Sequence, residues 1–426
     1  MKKFIIPALV MALALTTGCT LADKFEYGKE GILITGTDAS PMAKTRIVAD
    51  AVPISYAFSV SSTGKVDADT KVYLKIDSEA VDAYNAKNGT SYVAVPENAL
   101  TLEDEYLTIS AGKATSNVTN VVLTDNSFIQ DGVLYVIAIS ATKVEGADVE
   151  LIEASKTVYI KLGKTQQNPA LDINSTSVYS TYSFGTGATD GYDVNNWTLE
   201  IKAYPYNMKK RGSEQLCRLC CWNEDGGGQV LLRFNENGKP WKTLDIVSVS
   251  GRYVTGTSGE GDNATGFFEE NTWYLISIVW DGAQMKVYVN GELDTPWQNT
   301  ISGSQALKIN RFEIGMSWGG YGNSQSYTGR MAEMRIWDRA RSQSEIAEGL
   351  CSVDPASEGL LGYWRFNEGS GTVFHDTATW DPYGNKTAKD MDWAQSMRQA
   401  DEKTYTNTGA GSAVRWVKDE KNNCLQ

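Results

Sequence analysis

Residues 271–294 read NTWYLISIVWDGAQMKVYVNGELD, and this stretch determines the predicted fold class. Residues 273–280 are apolar on nearly both faces of a period-2 pattern and rich in aromatic and β-branched side chains. Such a run is typical of a central strand that is buried on both sides. The dipeptide Asp281-Gly282 predicts a turn, and a second alternating run leads to Asn290-Gly291, the strongest two-residue hairpin signal. The stretch therefore predicts two consecutive β-hairpins in an all-β domain.

The pattern WYxxxxVWDG, followed by VYVNG, resembles the laminin-G-like or concanavalin-A-like lectin family. The fold of that family is a jelly-roll sandwich of two antiparallel sheets. Further runs similar to the family's strands and turns follow in its order, at residues 196–201, 311–315, 329–340, 342–345 and 361–369. Ser342 and Glu345 form a capping-box pattern at the start of a short helix. The resemblance implies a lectin domain over residues 173–394.

Length and composition predict more than one domain. The chain has 426 residues, and a single hydrophobic core usually stops growing at roughly 250 to 300 residues. All 12 Trp residues lie at or after Trp197, whereas residues 25–162 are rich in Val, Thr, Ala and Ser. We therefore expect a domain boundary near residue 165.

The charge balance excludes some classes of partner. A formal net charge of −13 argues against nucleic acid or an anionic membrane surface, because either would require a basic footprint. The single histidine, His375, leaves little material for histidine-based catalysis or a zinc site.

The amino terminus has the pattern of a bacterial secretory signal: Lys2-Lys3, an apolar run over residues 4–15, and small residues up to Cys19. The apolar run is too short to span a bilayer. The segment Thr-Thr-Gly-Cys resembles a lipobox, which implies removal of residues 1–18 and acylation of Cys19. An ordinary secretory signal with an incidental cysteine stays open as the alternative. We expect an outer-membrane lipoprotein that faces the cell exterior and contacts the membrane through its lipid anchor only.

Residues 19–163 have the pattern of a β-domain. Strand character occurs at residues 54–60, 72–76, 106–109, 118–123, 134–139 and 157–162. Residues 78–88 are helix-compatible. The series VxxYN, GTxY, VP and ISAG, over residues 81–112, resembles an uncharacterised immunoglobulin-like domain of Bacteroidetes-type surface lipoproteins from glycan-utilisation loci. This resemblance implies an immunoglobulin-like β-sandwich that acts as a spacer, with a second binding site as the alternative.

Two polar segments flank the predicted lectin domain. Residues 164–172, which contain Asn168-Pro169, are predicted to be a linker. Residues 395–426 form a C-terminal tail, and the sequence does not decide between a packed strap and a frayed end.

Binding of a sugar requires exposed aromatic rings that stack on pyranose rings, beside amides, carboxylates or arginines that bond the hydroxyls. Five Trp residues lie in strand patterns and are predicted core: Trp197, Trp273, Trp280, Trp337 and Trp364. Six aromatic residues lie among loop-forming residues: Trp222, Trp241, Trp297, Trp318, Trp380 and Tyr321. Residues 317–327 form the densest such loop. We therefore predict Trp318 and Tyr321 as stacking platforms and Asn323 as a hydroxyl partner.

Two further loops could complete the rim of a glycan site. They contribute five secondary candidates: Trp222, Asn223, Asp225, Arg252 and Tyr253. No cofactor is predicted, but Asp225, Asp262 and Asn263 could ligate a structural Ca²⁺, which takes oxygen ligands.

Catalysis is the competing function class, because glycoside hydrolysis requires two carboxylates that face one sugar position. Hydrolases on the resembled fold commonly carry Glu-x-Asp-x-x-Glu on one strand. The nearest fragment here, Glu292 to Asp294, lacks the third acid. No catalytic residue is therefore predicted, although an acidic pair assembled only by folding stays possible.

Five cysteines remain after acylation of Cys19: Cys217, Cys220, Cys221, Cys351 and Cys424. A lone Cys-x-x-Cys pair is a weak redox or metal signal. Buried free thiols, together with at most one bridge, are expected instead. Strand alternation would place Cys217 and Cys221 on one face and Cys220 on the other.

The sequence thus predicts a non-catalytic surface lipoprotein that captures oligosaccharide or polysaccharide. By resemblance, it would act beside an outer-membrane glycan importer and an endoglycosidase, and its ligand would be mannose-rich N-glycan or mannan. The alternatives are a glycoside hydrolase on the concanavalin-A-like fold and an adhesion module that binds a host protein.

Overall fold

The computed structural model describes residues 30–173, 180–183, 191–208, 217–223, 228–236, 238–315, 326–382, 388–393, 397–401, 404–407 and 415–425. The chain forms two compact units: Met1–Phe128 with Leu134–Gly163, and Ile129–Val133 with Lys164–Gln426. Strands dominate both units, which confirms the all-β prediction.

The first unit contains twelve strands and one α-helix in its described residues. Their bounds are β1 (Gly31–Ile34), β2 (Ile47–Val48), β3 (Ile54–Phe58), β4 (Val60–Ser62), β5 (Thr70–Ile76), α1 (Ser78–Asn88), β6 (Val93–Ala94), β7 (Leu100–Leu102), β8 (Tyr106–Ile109), β9 (Thr119–Leu123), β10 (Tyr135–Glu145), β11 (Glu150–Leu151) and β12 (Thr157–Gly163). The sheets have the orders β2-β12-β10-β5-β8 with β6 on β10, β11-β1-β4, and β3-β9-β7.

Helix α1 confirms the helix predicted at residues 78–88. It buries Val81 against Val136, Ala138 and Tyr159. It ends at Gly89, whose positive φ of 65° suits a residue without a Cβ.

The second unit continues the chain from Lys164. Its elements are β13 (Thr165–Ile173), β14 (Ser180–Ser183), β15 (Tyr192–Val194), β16 (Trp197–Pro205), β17 (Cys217–Asn223), β18 (Gln229–Phe234), β19 (Leu244–Val247), β20 (Arg252–Val254), β21 (Tyr274–Trp280), β22 (Met285–Val289), β23 (Glu292–Leu293), β24 (Gln298–Asn299), β25 (Leu307–Ile309), β26 (Arg311–Ile314), β27 (Gly329–Trp337), α2 (Gln343–Glu348), β28 (Leu360–Trp364), β29 (Val373–Phe374), β30 (Met391–Asp392), β31 (Met397–Asp401), β32 (Thr404–Asn407) and β33 (Trp416–Leu425).

Two sheets form the sandwich of the second unit. The eight-stranded sheet has the order β23-β22-β21-β16-β27-β13-β33 with β28 on β27, and the seven-stranded sheet has the order β14-β26-β17-β18-β19-β20-β24. Apolar side chains from both sheets, including Trp197, Trp222 and Trp364, make one continuous core. Trp280 and Trp337 are also buried as predicted, whereas Trp273 is half-buried beside the Lys202 ammonium.

The predicted hairpins are confirmed. Strand β21 is buried at all seven positions and lies between β16 and β22. The turn between β22 and β23 places Asn290 and Gly291 at positive φ angles of 52° and 82°, as a tight two-residue hairpin requires. Asn290 Oδ1 also accepts a hydrogen bond from the Leu275 N–H.

Helix α2 covers the outer face of this sheet, which explains why β21 is buried on both sides. Ile346 of α2 packs against Val279 and Tyr288. The predicted capping box is present: Ser342 Oγ accepts from the Glu345 N–H, and the Glu345 carboxylate accepts from the Ser342 N–H.

A fully buried carboxylate, Glu200, lies beneath this cover. It accepts hydrogen bonds from Ser277 Oγ at 2.8 Å, Trp337 Nε1 at 2.9 Å and Arg341 Nη1 at 2.9 Å, and Arg335 Nη1 lies 3.3 Å away. Burial raises the pKa of Glu200, but the Arg341 and Arg335 guanidinium groups outweigh burial and hold the pKa below its usual value. Glu200 is therefore ionised, and it ties β16 to the segment that leads into α2.

One predicted segment assignment is wrong. Most of the expected linker, residues 164–172, belongs to β13, which pairs with β27 and β33. Pro169 fits because the register shifts between Gln167 and Pro169, where the ladder is interrupted. For the C-terminal tail, the sequence left a packed strap and a frayed end open. Strand β33 of this tail pairs with β13, so Trp416–Leu425 is packed against the sheet.

The thiols of β17 are free and buried at Cys217, Cys220 and Cys221, as predicted. Cys351 is disulfide-bonded. Burial raises the pKa of Cys217 to about 12, which keeps this thiol protonated. The expected facing was wrong: Cys217 and Cys220 both point into the core, because the register against β18 shifts between Arg218 and Cys220.

Replacing Glu200 tests the buried network. Glu200→Gln removes the charge that Arg335 and Arg341 need and should lower the free energy of unfolding by about 3–5 kcal/mol in urea denaturation. The control is Glu292→Gln on exposed β23, expected to change stability by less than about 0.5 kcal/mol. Equal, small effects of both substitutions would show that the network does not hold the fold.

Candidate functional site

Half of the predicted glycan site cannot be placed. Trp318, Tyr321, Asn323 and Asp225 lie outside the described residues, so their roles stay predictions. Asn223 is the last residue of β17, and its backbone pairs with Gln229 and Arg311.

Two predicted ligand contacts are wrong. Trp222 and Tyr253 are 0% and 1% exposed, and both belong to the core between the sheets. A ring enclosed in a core cannot stack on a sugar. Arg252 is partly exposed, and its Nε lies 3.3 Å from Asp245 Oδ1.

Three other aromatic rings of the second unit are exposed in the described part of the chain: Trp241 at 36%, Phe267 at 43% and Trp297 at 45%. Large rings are rarely left in water. All three line grooves at one edge of the seven-stranded sheet.

Antiparallel pairing brings these rings together. Trp241 lies in the loop between β18 and β19, and Phe267 lies in the longer segment that follows β20. Trp297 directly precedes β24, the strand that pairs with β20. Strands β18, β19, β20 and β24 pair antiparallel in that order. The end of β18, the start of β19, the end of β20 and the start of β24 therefore lie on the same side of the sheet, the side at which these strands begin or end.

The first groove has a volume of about 700 Å³, within the range of small-molecule sites. Trp241 and Trp297 line it, together with Asn235, Glu236, Gly238, Lys239, Pro240, Lys242, Gly261, Asp262, Asn263, Ala264 and Thr265. This set combines apolar rings with amide, carboxylate and ammonium groups.

Backbone contacts and lysines position the two Trp rings. The Trp297 N–H donates to Val254 O at 3.0 Å, and Trp241 O accepts from the Gly266 N–H at 2.7 Å. Lys239 Nζ lies 5.4 Å from the Trp297 ring centroid, and Lys242 Nζ lies 5.1 Å from that of Trp241. Such cation–π contacts favour one ring orientation over others.

Some polar side chains of the first groove contact other protein groups, and others are exposed to solvent. Glu236 lies 2.9 Å from Arg233 Nε, and Asn235 Oδ1 accepts from the Lys242 N–H at 2.8 Å. Asp262 and Asn263 are exposed on a single 3-10 turn. Their side chains are accessible to ligand hydroxyls.

A second groove of about 520 Å³ shares Trp297 with the first. It is lined by Gly256, Thr257, Ser258, Gly266, Phe267, Asp294, Thr295, Pro296 and Trp297. Asp294 Oδ2 accepts from Tyr253 Oη at 2.9 Å, and Oδ1 accepts from the Gly256 N–H at 3.0 Å. Burial raises the pKa values of both Asp294 and Tyr253. Asp294 thus fixes the groove floor.

Gly256 is required at this floor. A Cβ there would lie 2.2 Å from the carbonyl oxygen of Thr295. This close backbone approach holds the segment that carries Trp297 against the end of β20.

The acidic groups of the grooves do not form an evident catalytic pair. The described part of the chain places three carboxylates there: Glu236, Asp262 and Asp294. Glu236 is paired with Arg233, and Asp294 bonds Tyr253 and Gly256.

The described ranges hold no group of three or more His, Cys, Asp or Glu residues that could bind a metal ion. Among the proposed Ca²⁺ ligands, Asp262 and Asn263 lie exposed at the first groove, so Ca²⁺ binding stays a prediction. Within the same ranges, no helix is long and apolar enough to cross a membrane.

The sequence did carry a signal for the two tryptophans of this groove. Both directly follow a proline, in Pro240-Trp241 and Pro296-Trp297, and X-Pro pairs favour extended or turn conformations at loop positions. That signal marked them as loop residues but did not indicate that they line the same groove.

Comparisons with known proteins agree with this architecture. Residues 187–347 match the family model of the concanavalin A-like lectin/glucanases superfamily, and residues 27–148 match a model of an N-terminal domain. The search of curated proteins returned no significant match.

Three solved structures illustrate the structural similarity. A candidate carbohydrate-binding protein from Bacteroides ovatus is 20% identical, with 85% of this chain and 97% of that chain covered and a TM-score of 0.50. A SAP-like pentraxin from Limulus polyphemus is 18% identical (40% and 81% covered, TM-score 0.26). Bacteroides thetaiotamicron EndoBT-3987 is 17% identical (31% and 30% covered, TM-score 0.25).

The predicted resemblance to the lectin family is therefore confirmed. The second unit has the concanavalin-A-like fold, which occurs in carbohydrate-binding proteins and in glucanases.

Two matched tryptophan substitutions test the assignment of buried and exposed rings. Trp222→Ala should lower the free energy of unfolding by about 3–5 kcal/mol, because it leaves a cavity in the core. Trp297→Ala should change it by less than about 1 kcal/mol, because nearly half of this residue is already exposed in the folded state and no core cavity is left. Urea denaturation with matched m-values measures both, and a reversed order would contradict the placement of these rings.

Proposed function

We propose that this protein is a non-catalytic, cell-surface glycan-binding lipoprotein that captures oligosaccharide in the groove between Trp241 and Trp297. One observation carries the proposal: two exposed tryptophan rings line one groove beside accessible amide and carboxylate groups.

This arrangement matches the chemistry of a sugar. A pyranose presents an apolar C–H face and a rim of hydroxyl groups, so it requires a flat aromatic surface with polar groups beside it. The Trp241 and Trp297 rings supply the surface. Asp262 and Asn263 can accept and donate hydrogen bonds at the rim.

The ion pair of Glu236 and the hydrogen bonds of Asp294 to other protein groups support binding without cleavage. Hydrolysis requires one carboxyl group as acid and another as base or nucleophile at a single bond. Glu236 and Asp294 already have protein partners, and Asp262 remains as the exposed acid. The glycoside hydrolase is therefore the alternative that the binding experiment must exclude.

The ligand we propose to test first is a mannose-rich N-glycan or mannan, and the proposed setting is a glycan-uptake system with an importer and an endoglycosidase. Both rest on the resemblance of the first domain to domains of surface lipoproteins from glycan-utilisation loci. A bound Ca²⁺ is a further possibility to test, because Asp262 and Asn263 offer oxygen ligands.

Calorimetry tests the proposal. We expect purified full-length protein in a non-glycosidic detergent to bind mannan or a glycan of a plant panel, with the glycan still intact after overnight incubation. Trp297→Ala should weaken binding about tenfold or more, since a central aromatic anchor contributes at least ~1.4 kcal/mol. The matched control is Tyr106→Ala, which removes a ring that is 40% exposed in the first unit.

Each alternative predicts a different result. Shortened glycan products would support the hydrolase, and absence of binding to the whole panel would favour a protein ligand. Binding abolished by EDTA and restored by Ca²⁺ would establish the metal.

A separate experiment tests the anchor. If Cys19 is acylated, [³H]palmitate should label the wild-type protein, and the protein should fractionate with outer membranes. Cys19→Ala should lose the label and leave the membrane fraction, because a single apolar leader of this length does not anchor stably. The control is Cys220→Ala, which removes a buried thiol and should keep the label. Cys351→Ala is unsuitable because that residue is disulfide-bonded. Equal labelling of wild type and Cys19→Ala would exclude a lipobox.

A further inference from the structure

The two grooves at the sheet edge share one residue. Trp297 is the single member of both lining sets in the described part of the chain. Trp241 lines the first groove and Phe267 lines the second. Three exposed rings are therefore distributed over two adjacent grooves, with Trp297 at their junction.

One backbone segment links the loop of Trp241 to Phe267. Thr265 lines the first groove and forms bridges with Trp241 and Ser258, and Gly266 lines the second groove immediately before Phe267. A Cβ at Gly266 would lie 2.0 Å from the Lys242 carbonyl oxygen, so this segment lies directly on the loop of Trp241. The spacing between Trp241 and Phe267 is thereby set by backbone contacts.

The volumes of the grooves indicate the length of the ligand. Each groove, at about 700 and about 520 Å³, falls within the range for a whole small-molecule site. A monosaccharide would occupy one groove only. A ligand that contacts all three rings must continue past Trp297.

The charges indicate the class of glycan. The charges of the first groove balance: Glu236 is paired with Arg233 and Lys242 with Glu269, and Asp262 and Lys239 are of opposite sign. The groove therefore offers no excess positive charge to a uronic acid or sulfated sugar, and the Asp294 carboxylate in the second groove would repel one. Lys239 donates a hydrogen bond to the neutral Gln298 Oε1 and keeps its positive charge, which the Asp262 carboxylate of the same groove balances. The remaining polar lining of the second groove is hydroxylic, at Thr257, Ser258 and Thr295. These groups match neutral hydroxyls.

Resting on the proposed function, we infer that the site takes an internal segment of a neutral linear glycan. One sugar lies over Trp297, and its neighbours on either side lie against Trp241 and Phe267.

The test is a ladder of ligand lengths. Manno-, cello- and xylo-oligosaccharides, from disaccharide to hexasaccharide, are titrated into the full-length protein. In the series that binds, affinity should rise about tenfold or more from disaccharide to hexasaccharide. Oligogalacturonides of the same lengths should not bind.

Substitutions locate the gain. Trp297→Ala should weaken the binding of every length. A disaccharide occupies one groove only, so one of the two other substitutions, Phe267→Ala or Trp241→Ala, should leave its affinity within about twofold. That same substitution should abolish the gain in affinity of the hexasaccharide. Phe267 stacks on buried Phe268 with centroids 4.6 Å apart, so Phe267→Leu, which keeps the apolar contact, guards against a folding defect. Tyr106→Ala is the control that should leave the ladder unchanged.

The outcomes separate the two proposals. Binding with equal affinity for all lengths would overturn the internal-segment inference and leave the glycan-binding function standing. Tighter binding of oligogalacturonides than of neutral oligosaccharides would overturn the assigned class. No binding to any ladder or polysaccharide would overturn both.

Discussion

The buried Glu200 carboxylate is the constraint on which the second unit depends. A charge that is removed from water must be paired and hydrogen-bonded, or folding is penalised by several kcal/mol. The partners that satisfy Glu200 lie on β21, on β27 and just after β27. The chain beyond β27 can therefore take one position on the sheet. That position brings Ile346 of α2 onto Val279 and Tyr288.

This cover restricts where ligand contacts can form. Helix α2 and the residues that bond Glu200 cover part of the outer face of the eight-stranded sheet, around β21 and β22, and its inner face belongs to the core. The exposed rings in the described residues of the second unit, Trp241, Phe267 and Trp297, instead lie on loops where strands of the seven-stranded sheet end. The sandwich thus presents its exposed rings on loops, the position at which a stable scaffold commonly carries variable function.

Local signals predicted the fold well. The Asn290-Gly291 turn, the Ser342 capping box and helix α1 each depend on residues that are close in sequence, and all three are present. Signals that depend on strand phase were less successful. The register shift near Arg218 altered the facing of the thiols of β17, and Trp222 lies farther along the same strand, in the core.

The candidate site could not be predicted from local sequence signals, because its residues come from segments that are distant in sequence. Trp241 and Trp297 were recognisable as loop residues. Their placement in one groove depends on the pairing of β24 with β20, which joins segments that are distant in sequence. Likewise, Tyr253 lies in the three-residue strand β20, too short for its inward direction to be read from alternation. The pairing of β13 with β33 was hidden because Pro169 and the polar residues around it are typical of linkers.

The shallow form of the grooves suits a ligand with many repeated units. Hydroxyl groups are well solvated in water, so each hydrogen bond gained at the rim adds little net affinity. Three rings held at fixed spacing add their small contributions along one chain, provided that the ligand spans them without bending. A polysaccharide also offers many equivalent segments, so release from one segment is followed by rebinding at its neighbour at high effective concentration. Under the proposed function, the spacing of the rings, set by the Thr265 bridges and the Gly256 contact, would select among glycans by the distance between successive sugar faces.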